Sequence, residues 1–175
     1  HRDGEPLTSY WSAGKRRDYN TSLKQGLSFR ELVKAEEVNM FLEILKQRLL
    51  THDAKPVHTA EEIILLKEKH IPGLIRLYGV YLDDIMIAGT MLFSFNNEVL
   101  HTQYLAHDTR YSSLYPMNYL IYQVMKLAKD EGYRALSFGI STEAHGMVLN
   151  TGLASFKEGF GARYCNNRTY CKTLR

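Results

Sequence analysis

The sequence predicts an α/β (α+β) domain, with a mixed and mostly antiparallel sheet, one parallel strand pair and flanking helices. Three observations carry this prediction. Leu74–Tyr81, Ile85–Phe95 and Glu98–His107 are successive apolar runs, parted only by Asp83-Asp84 and Asn96-Asn97. Asn and Asp tolerate left-handed backbone, so tight hairpins and an antiparallel meander follow. A helical stripe (Met117, Leu120, Ile121, Val124, Leu127, Ala128) then separates the third run from a fourth at 135–140. Strand, helix, strand requires a crossover, so 98–107 and 135–140 are predicted adjacent and parallel, with a right-handed connection.

Taken in order, residues 10–25 read as a helix, with Trp11, Tyr19 and Leu23 as its buried contacts, a basic cluster opposite and Gly26 ending it. Its apolar stripe is weak, as in a helix lacking its full packing partner. Leu27–Val33 alternates as a short strand. Val38, Phe41, Leu42, Leu45 and Leu49 recur at helical spacing. His52–His58, with Pro56, is a loop. Thr59-Ala60-Glu61-Glu62 is a capping-box pattern opening a helix that Pro72-Gly73 ends. The run Ile85–Phe95 is apolar on both faces, so it is expected at the sheet centre. Tyr111–Tyr115 is a loop, Pro116 suits the first turn of the next helix, and Gly132 ends that helix. A helix near 148–158 and a last strand near 162–172 complete the chain.

At 175 residues, 45% hydrophobic and 23% charged, the composition is that of one globular domain. No apolar run approaches the roughly 20 residues of a membrane span, and no signal peptide is visible. Cys165 and Cys171, six apart on one strand, would lie too far apart to bond each other, so both are read as free thiols in a reducing, cytoplasmic setting. Residues 1–30 carry six basic and three acidic side chains; residues 162–175 carry four basic and none acidic. These ends are either solvated or meet an anionic partner such as a nucleotide, CoA or RNA; no DNA partner is expected.

The stretch Leu136–Gly161 gathers the chemistry. A short strand runs into Ser141–Gly146, which holds a hydroxyl pair, Glu143 and His145; Asn150, Lys157 and Glu158 follow. Glu143 and His145 are candidate general bases for an incoming amine. Asn150 either caps the next helix or binds substrate. The two parallel strands are expected to end at Ala106–Asp108 and Gly139–Ser141, beside the helix N-terminus at Pro116, whose free N–H groups suit a phosphate. The candidate cofactor contacts there are Arg110, Ser112, Ser113, Met117 and Asn118. His101 and Tyr104 are expected on opposite faces of their strand. No HxxxH or HExxH pair occurs, so no metal site is expected.

The element order, together with three motifs, resembles the GNAT acyltransferases. The motifs are Phe138-Gly139-Ile140-Ser141-Thr142-Glu143, Leu149-Asn150-x-Gly152-Leu153 and Phe156-Lys157-Glu158-Gly159-Phe160-Gly161. They look like the C-terminal signature of a bacterial group similar to the Fem-type aminoacyltransferases of peptidoglycan bridges. Gly14-Lys15-Arg16-Arg17, Pro56-Val57-His58-Thr59 and His101-Thr102-Gln103-Tyr104 also resemble that group. The resemblance implies acetyl or aminoacyl transfer to an amine, on an amino sugar or a cell-wall peptide, hence a role in cell-wall or polysaccharide biosynthesis. It implies acetyl-CoA or another acyl-CoA as donor, with aminoacyl-tRNA as the alternative. It places Lys157 near the reacting centre, where an ammonium stabilises developing negative charge. Lys157→Met is accordingly expected to abolish transfer and leave the fold intact. His101, Gln103, Tyr104, Ser141 and Asn150 become substrate contacts. Fem-type proteins carry two such domains in tandem, so residues 1–26 are expected to be the exit from a preceding domain and 27–175 the acyltransferase domain. The sequence departs at Thr109–Pro116, where GNAT enzymes have a glycine-rich phosphate loop and this chain has no glycine. The competing reading is a non-catalytic module that binds a nucleotide sugar or RNA.

Overall fold

A computed structural model describes residues 4–50, 57–166 and 172. The elements run α1 (Ala13–Ser22), β1 (Leu27–Glu31), α2 (Ala35–Leu50), α3 (Ala60–Leu65), β2 (Ile75–Leu82), β3 (Ile85–Phe95), β4 (Val99–His107), α4 (Pro116–Asp130), β5 (Ala135–Ser137), β6 (Thr142–Glu143), β7 (Val148–Leu149) and α5 (Thr151–Gly159). The main sheet has the order β1-β2-β3-β4-β5 among the described residues. Its first four strands are antiparallel, and β5 joins β4 in parallel. β3 is central, as its two apolar faces require.

Local chemistry fixes the connections. Asp83, Asn96 and Asn97 adopt positive φ in the two hairpin turns. Thr59 and Glu62 close a reciprocal capping box at α3. Below it, residues Leu66–His70 form one π turn, where Lys67 donates to Leu32 O and pairs with Glu31. Pro116 opens α4, and Gly132 follows its end at φ +78°. Thr109–Leu114, overlapping the loop expected at Tyr111–Tyr115, forms a 3-10 helix capped by the Asp108 carboxylate.

The sheet has a core on each face. On one, Met86, Met91, Leu77 and Ile75 pack with Phe41, Val38 and Leu45 of α2 and Ile63 of α3. On the other, Ile87, Ala88, Leu92, Val80 and Leu100 pack with Leu120 and Val124 of α4. Gly89 makes the first contact possible, because a Cβ there would stand 2.5 Å from the Phe41 ring. Trp11 and Tyr19 dock with Ile121 of α4 and Phe160 beyond α5 in a third cluster. Trp11 meets Phe160 edge-on at 4.8 Å, and Tyr19 stacks on Tyr122 at 4.3 Å. The Asn118 amide of α4 donates to Lys15 O, and the Lys15 ammonium lies over the Phe156 and Phe160 rings. α1 thus docks through aromatics that a stripe count undervalues. Leu23, expected buried, is 53% exposed because α1 ends one residue before it.

Three further expectations differ. The fourth strand is shorter than 135–140 and stops at Ser137. The segment after it folds back as the β6–β7 hairpin, which the sequence did not announce. Ala162–Asn166 form no strand, and the rest of the strand expected at 162–172, with Cys171, lies almost wholly outside the described residues. Most of the His52–His58 loop, including Pro56, lies outside them as well.

Candidate active site

The site is built where β4 and β5 part. β5 pairs only with Val99, Leu100 and His101, while β4 runs on to His107. The outer edge of β4 from Thr102 onward therefore has no strand partner among the described residues. The two strand ends are not level, as the sequence suggested; Ser137 stands opposite His101.

A β-bulge sits just past this point. The β3–β4 register passes from Leu92↔Thr102 to Met91↔Tyr104, so Gln103 is the extra residue. A bulge reverses the alternation of faces. His101 pairs with Phe93 and Tyr104 with Met91, both on the α2 side of the sheet, so His101 and Tyr104 share a face. The expectation of opposite faces is corrected by that one inserted residue.

Four residues converge at the parting. His101 Nδ1 lies 3.0 Å from Ser137 Oγ, which also accepts from Gly139 N–H at 3.3 Å. Gly139 has φ +70°, and a Cβ there would stand 3.2 Å from His101 Cε1. Lys157 reaches this turn from α5, donating to Gly139 O at 3.1 Å and Ile140 O at 2.6 Å. It is only 8% exposed, and burial pushes its pKa down. Burial also pushes the His101 ring below its ordinary value of 6.5; the Lys157 charge adds to this, and a hydrogen bond with the Gln103 side chain opposes it. The ring is therefore neutral at pH 7. Ser137 escaped notice in the sequence, although its place before Phe138-Gly139 at a strand end was a usable signal.

The polar 141–150 segment is arranged otherwise. Ala144, His145 and Gly146 all have positive φ and form the exposed tip of the β6–β7 hairpin. Asn150 caps α5 by accepting from Leu153 N–H at 2.9 Å, and its amide donates to Glu143 Oε1 at 2.7 Å. Ser141 O accepts from Asn150 N–H, closing the hairpin base. Among the described residues, the side-chain hydrogen bond of Glu143 goes to Asn150 and none runs from Glu143 or His145 to His101 or Lys157.

At the N-terminus of α4, the Arg110 guanidinium grips the Asp108 carboxylate with both Nε and Nη2. Asp108 is 5% exposed, and the Arg110 hydrogen bond holds its carboxyl well below the usual range. Ser112 Oγ donates to Thr109 O and meets His107 Nε2 at 3.1 Å. Ser113 is exposed. Met117 packs between two cores, and the Asn118 amide donates to Lys15 O. His107, unremarked in the sequence, is pushed below 6.5 by burial and then by the Arg48 charge, with Asp108 opposing. Among the described residues no three His, Cys, Asp or Glu side chains lie together as a metal site, and no helix is long and apolar enough to cross a membrane. Cys165 is a free, exposed thiol.

A family model described as an acetyltransferase (GNAT) domain matches residues 11–147. Among solved structures, FemX superposes with a TM-score of 0.71 at 16% identity, over 89% of this chain and 55% of that one. This chain thus spans about half the length of FemX. A possible acetyltransferase from Clostridium difficile 630 gives 0.63 at 15% identity, over 85% and 97%. An aminoglycoside acetyltransferase from an uncultured soil metagenomic sample, in complex with trehalose, gives 0.57 at 11% identity, over 87% and 99%. At such identities these likenesses speak to the fold alone. No curated protein sequence matches the chain.

Proposed function

The chain belongs to the GNAT acetyltransferase family; from that premise we propose that it is an acyltransferase that moves an acetyl or other acyl group onto the amine of an amino sugar or a cell-wall peptide. The observation that carries this reading is the parting of β4 and β5 beside the His101–Ser137–Gly139–Lys157 cluster. A strand edge without a partner offers backbone N–H and C=O groups to an extended, amide-bearing arm, in the manner of strand addition. That suits the pantetheine of acyl-CoA, the donor class of GNAT acetyltransferases. The acyl carbon of a donor lying on this edge would reach the rung of His101.

The cluster has the chemistry for the transfer. A lysine ammonium has three donors. Two go to Gly139 O and Ile140 O, and the third remains to meet an oxyanion as the acyl carbonyl turns tetrahedral. Tyr104, on the same face as His101, and Gln103 at the bulge are set to orient the acceptor. Ser112 and Ser113 stand at the α4 N-terminus, where a donor phosphate would lie. Arg110 is tied to Asp108 there, and Thr109–Pro116 has no glycine for a backbone cradle. This feature favours aminoacyl-tRNA as the second donor class. We extend the proposal to chain organisation: residues 27–175 are the acyltransferase domain, and 1–26 connect it to a preceding one. An open reading frame that starts at His1 would refute that extension.

The test is donor binding followed by transfer. Acetyl-CoA at 100 times its Kd adds about 2.7 kcal/mol to stability. Melting curves with acetyl-CoA and with alanyl-tRNA separate the two donors, and labelled acyl transfer to glucosamine and to a lysine-containing peptide separates the acceptors. Binding of a nucleotide sugar or RNA without any transfer would replace this reading by that of a binding module.

A further inference from the structure

The acyltransferase reading leaves open which group removes the proton from the amine. Glu143 and His145 have suitable chemistry, but both stand on the exposed hairpin, and Glu143 holds the Asn150 amide. Among the described residues, the imidazole at the rung where β4 and β5 part is that of His101, paired with Ser137 across the two strands. Its surroundings are those of a held imidazole. Ser137 Oγ fixes Nδ1, the Gly139 turn fits under the Cε1 edge, and the Phe95 ring stands 5.8 Å away. Ser137 Oγ is itself fixed by the Gly139 N–H.

We propose that His101 is the catalytic base that accepts the proton of the acceptor amine, with Ser137 and Gly139 as its positioning residues. The proposal rests on the acyltransferase reading above. With Nδ1 carrying hydrogen and donating to Ser137 Oγ, the lone pair is on Nε2. The amine nitrogen attacks the acyl carbon and the C–N bond forms. One N–H bond of the amine breaks and its proton passes to Nε2. The C–S bond of a thioester donor then breaks, and the sulfur leaves with the proton returned by the imidazolium. The bulge at Gln103 matters here, because it brings Tyr104 to the face of His101 and so gives the base and an orienting hydroxyl one side of the sheet.

The charges that face the ring agree with this role. Lys157 from α5 repels a proton on it, the Gln103 side chain from its own strand favours one, β5 presents the Ser137 hydroxyl, and the turn after β5 presents the Gly139 backbone. A neutral ring at pH 7 is ready to accept, and the hydrogen-bond partner needed to steady the imidazolium is in place.

The experiment compares wild type with His101→Gln, His101→Ala and Ser137→Ala, using acetyl-CoA or alanyl-tRNA with glucosamine. His101→Gln is expected to lower kcat/KM by about 10²–10⁴ with the donor KM unchanged. Its pH profile should lose the acidic limb below 6.5 and keep only that of the amine. Free imidazole should restore part of the His101→Ala rate, which a merely structural histidine would not allow. Ser137→Ala should fall between, with its limb displaced. Donor-induced melting shifts report whether each variant is folded. A His101→Gln enzyme that binds donor, keeps its rate within threefold and retains the limb overturns the assignment while the acyltransferase reading stands. A wild type that accelerates transfer from neither donor overturns both.

Discussion

Lys157→Met is the substitution with the clearest double consequence. On an exposed helix face methionine would be nearly neutral, since it matches lysine in length and helix propensity. The structure removes that neutrality. The Lys157 ammonium joins α5 to the turn after β5 through Gly139 O and Ile140 O. Each hydrogen bond to a charged group contributes about 1.5–3 kcal/mol. Two offsets reduce the loss: the variant no longer buries a charge, and Gly139 and Ile140 are exposed enough for water to reach their carbonyls. A net loss of about 1–2 kcal/mol follows, which is a fall in Tm of about 2–8 °C for a chain of this size. Catalysis should suffer more. Loss of one donor to an oxyanion costs about 10²–10³ in rate, or roughly 2.7–4 kcal/mol. Calorimetry gives the first quantity and single-turnover transfer the second, with exposed Lys69→Met as the control. Full turnover with a lowered Tm would reduce Lys157 to a structural clamp. An unchanged Tm would refute the energetic account of its two hydrogen bonds.

Three more outcomes follow from the same contacts. His101 and His107 both titrate below 6.5 when folded, so the unfolded chain binds more protons as pH falls; their stabilisation is complete above 6.5 and is lost below it, and a urea midpoint equal at pH 7.5 and pH 5 would contradict this. Gly139→Ala places a Cβ at φ +70° and 3.2 Å from His101 Cε1; it should cost about 1–2 kcal/mol and displace the His101 resonances in NMR, and unchanged resonances would show that the ring does not rest on this turn. Trp11→Ala opens the cluster with Tyr19, Ile121 and Phe160 and should cost about 3–5 kcal/mol; a loss under 1 kcal/mol by chemical denaturation would show that the docking of α1 contributes little to the stability of the fold.

What the sequence announced were features decided by a few neighbouring residues. Asp83 and Asn96-Asn97 make their turns by their own tolerance of positive φ, and Thr59 and Glu62 cap α3 across three positions. Asn150 caps α5 in the same way, although its second bond, to Glu143, needed the hairpin to form. The parallel pairing of β4 and β5 followed from the length of the crossover. What stayed hidden depends on partners far along the chain. The bulge at Gln103 exists only as a mismatch between β3 and β4, so no reading of β4 alone could place His101 and Tyr104 on one face. The docking of α1 needs Phe160, at the other end of the chain. The β6–β7 hairpin turns on Ala144 and His145 at positive φ, and alanine there is no turn signal.

Lys157 lies between these cases, and α5 shows why. Its buried positions are Ala154 and Lys157, and Phe160 just beyond the helix continues the series at a spacing of three. A lysine therefore occupies the inner stripe of its own helix, where an apolar residue is the ordinary choice. A charge in such a place is stable only with partners, and here they are two backbone carbonyls. Those carbonyls are free because β5 stops at Ser137 and the chain turns at Gly139 instead of continuing the ladder. The same early stop leaves the edge of β4 without a strand partner from Thr102 onward among the described residues. One backbone event thus exposes the strand edge, frees the acceptors that hold the ammonium, and seats the ring of His101. Lengthening β5 by replacing Gly139 with a strand-forming residue would remove all three together, so the short strand and the buried lysine are one feature of the site.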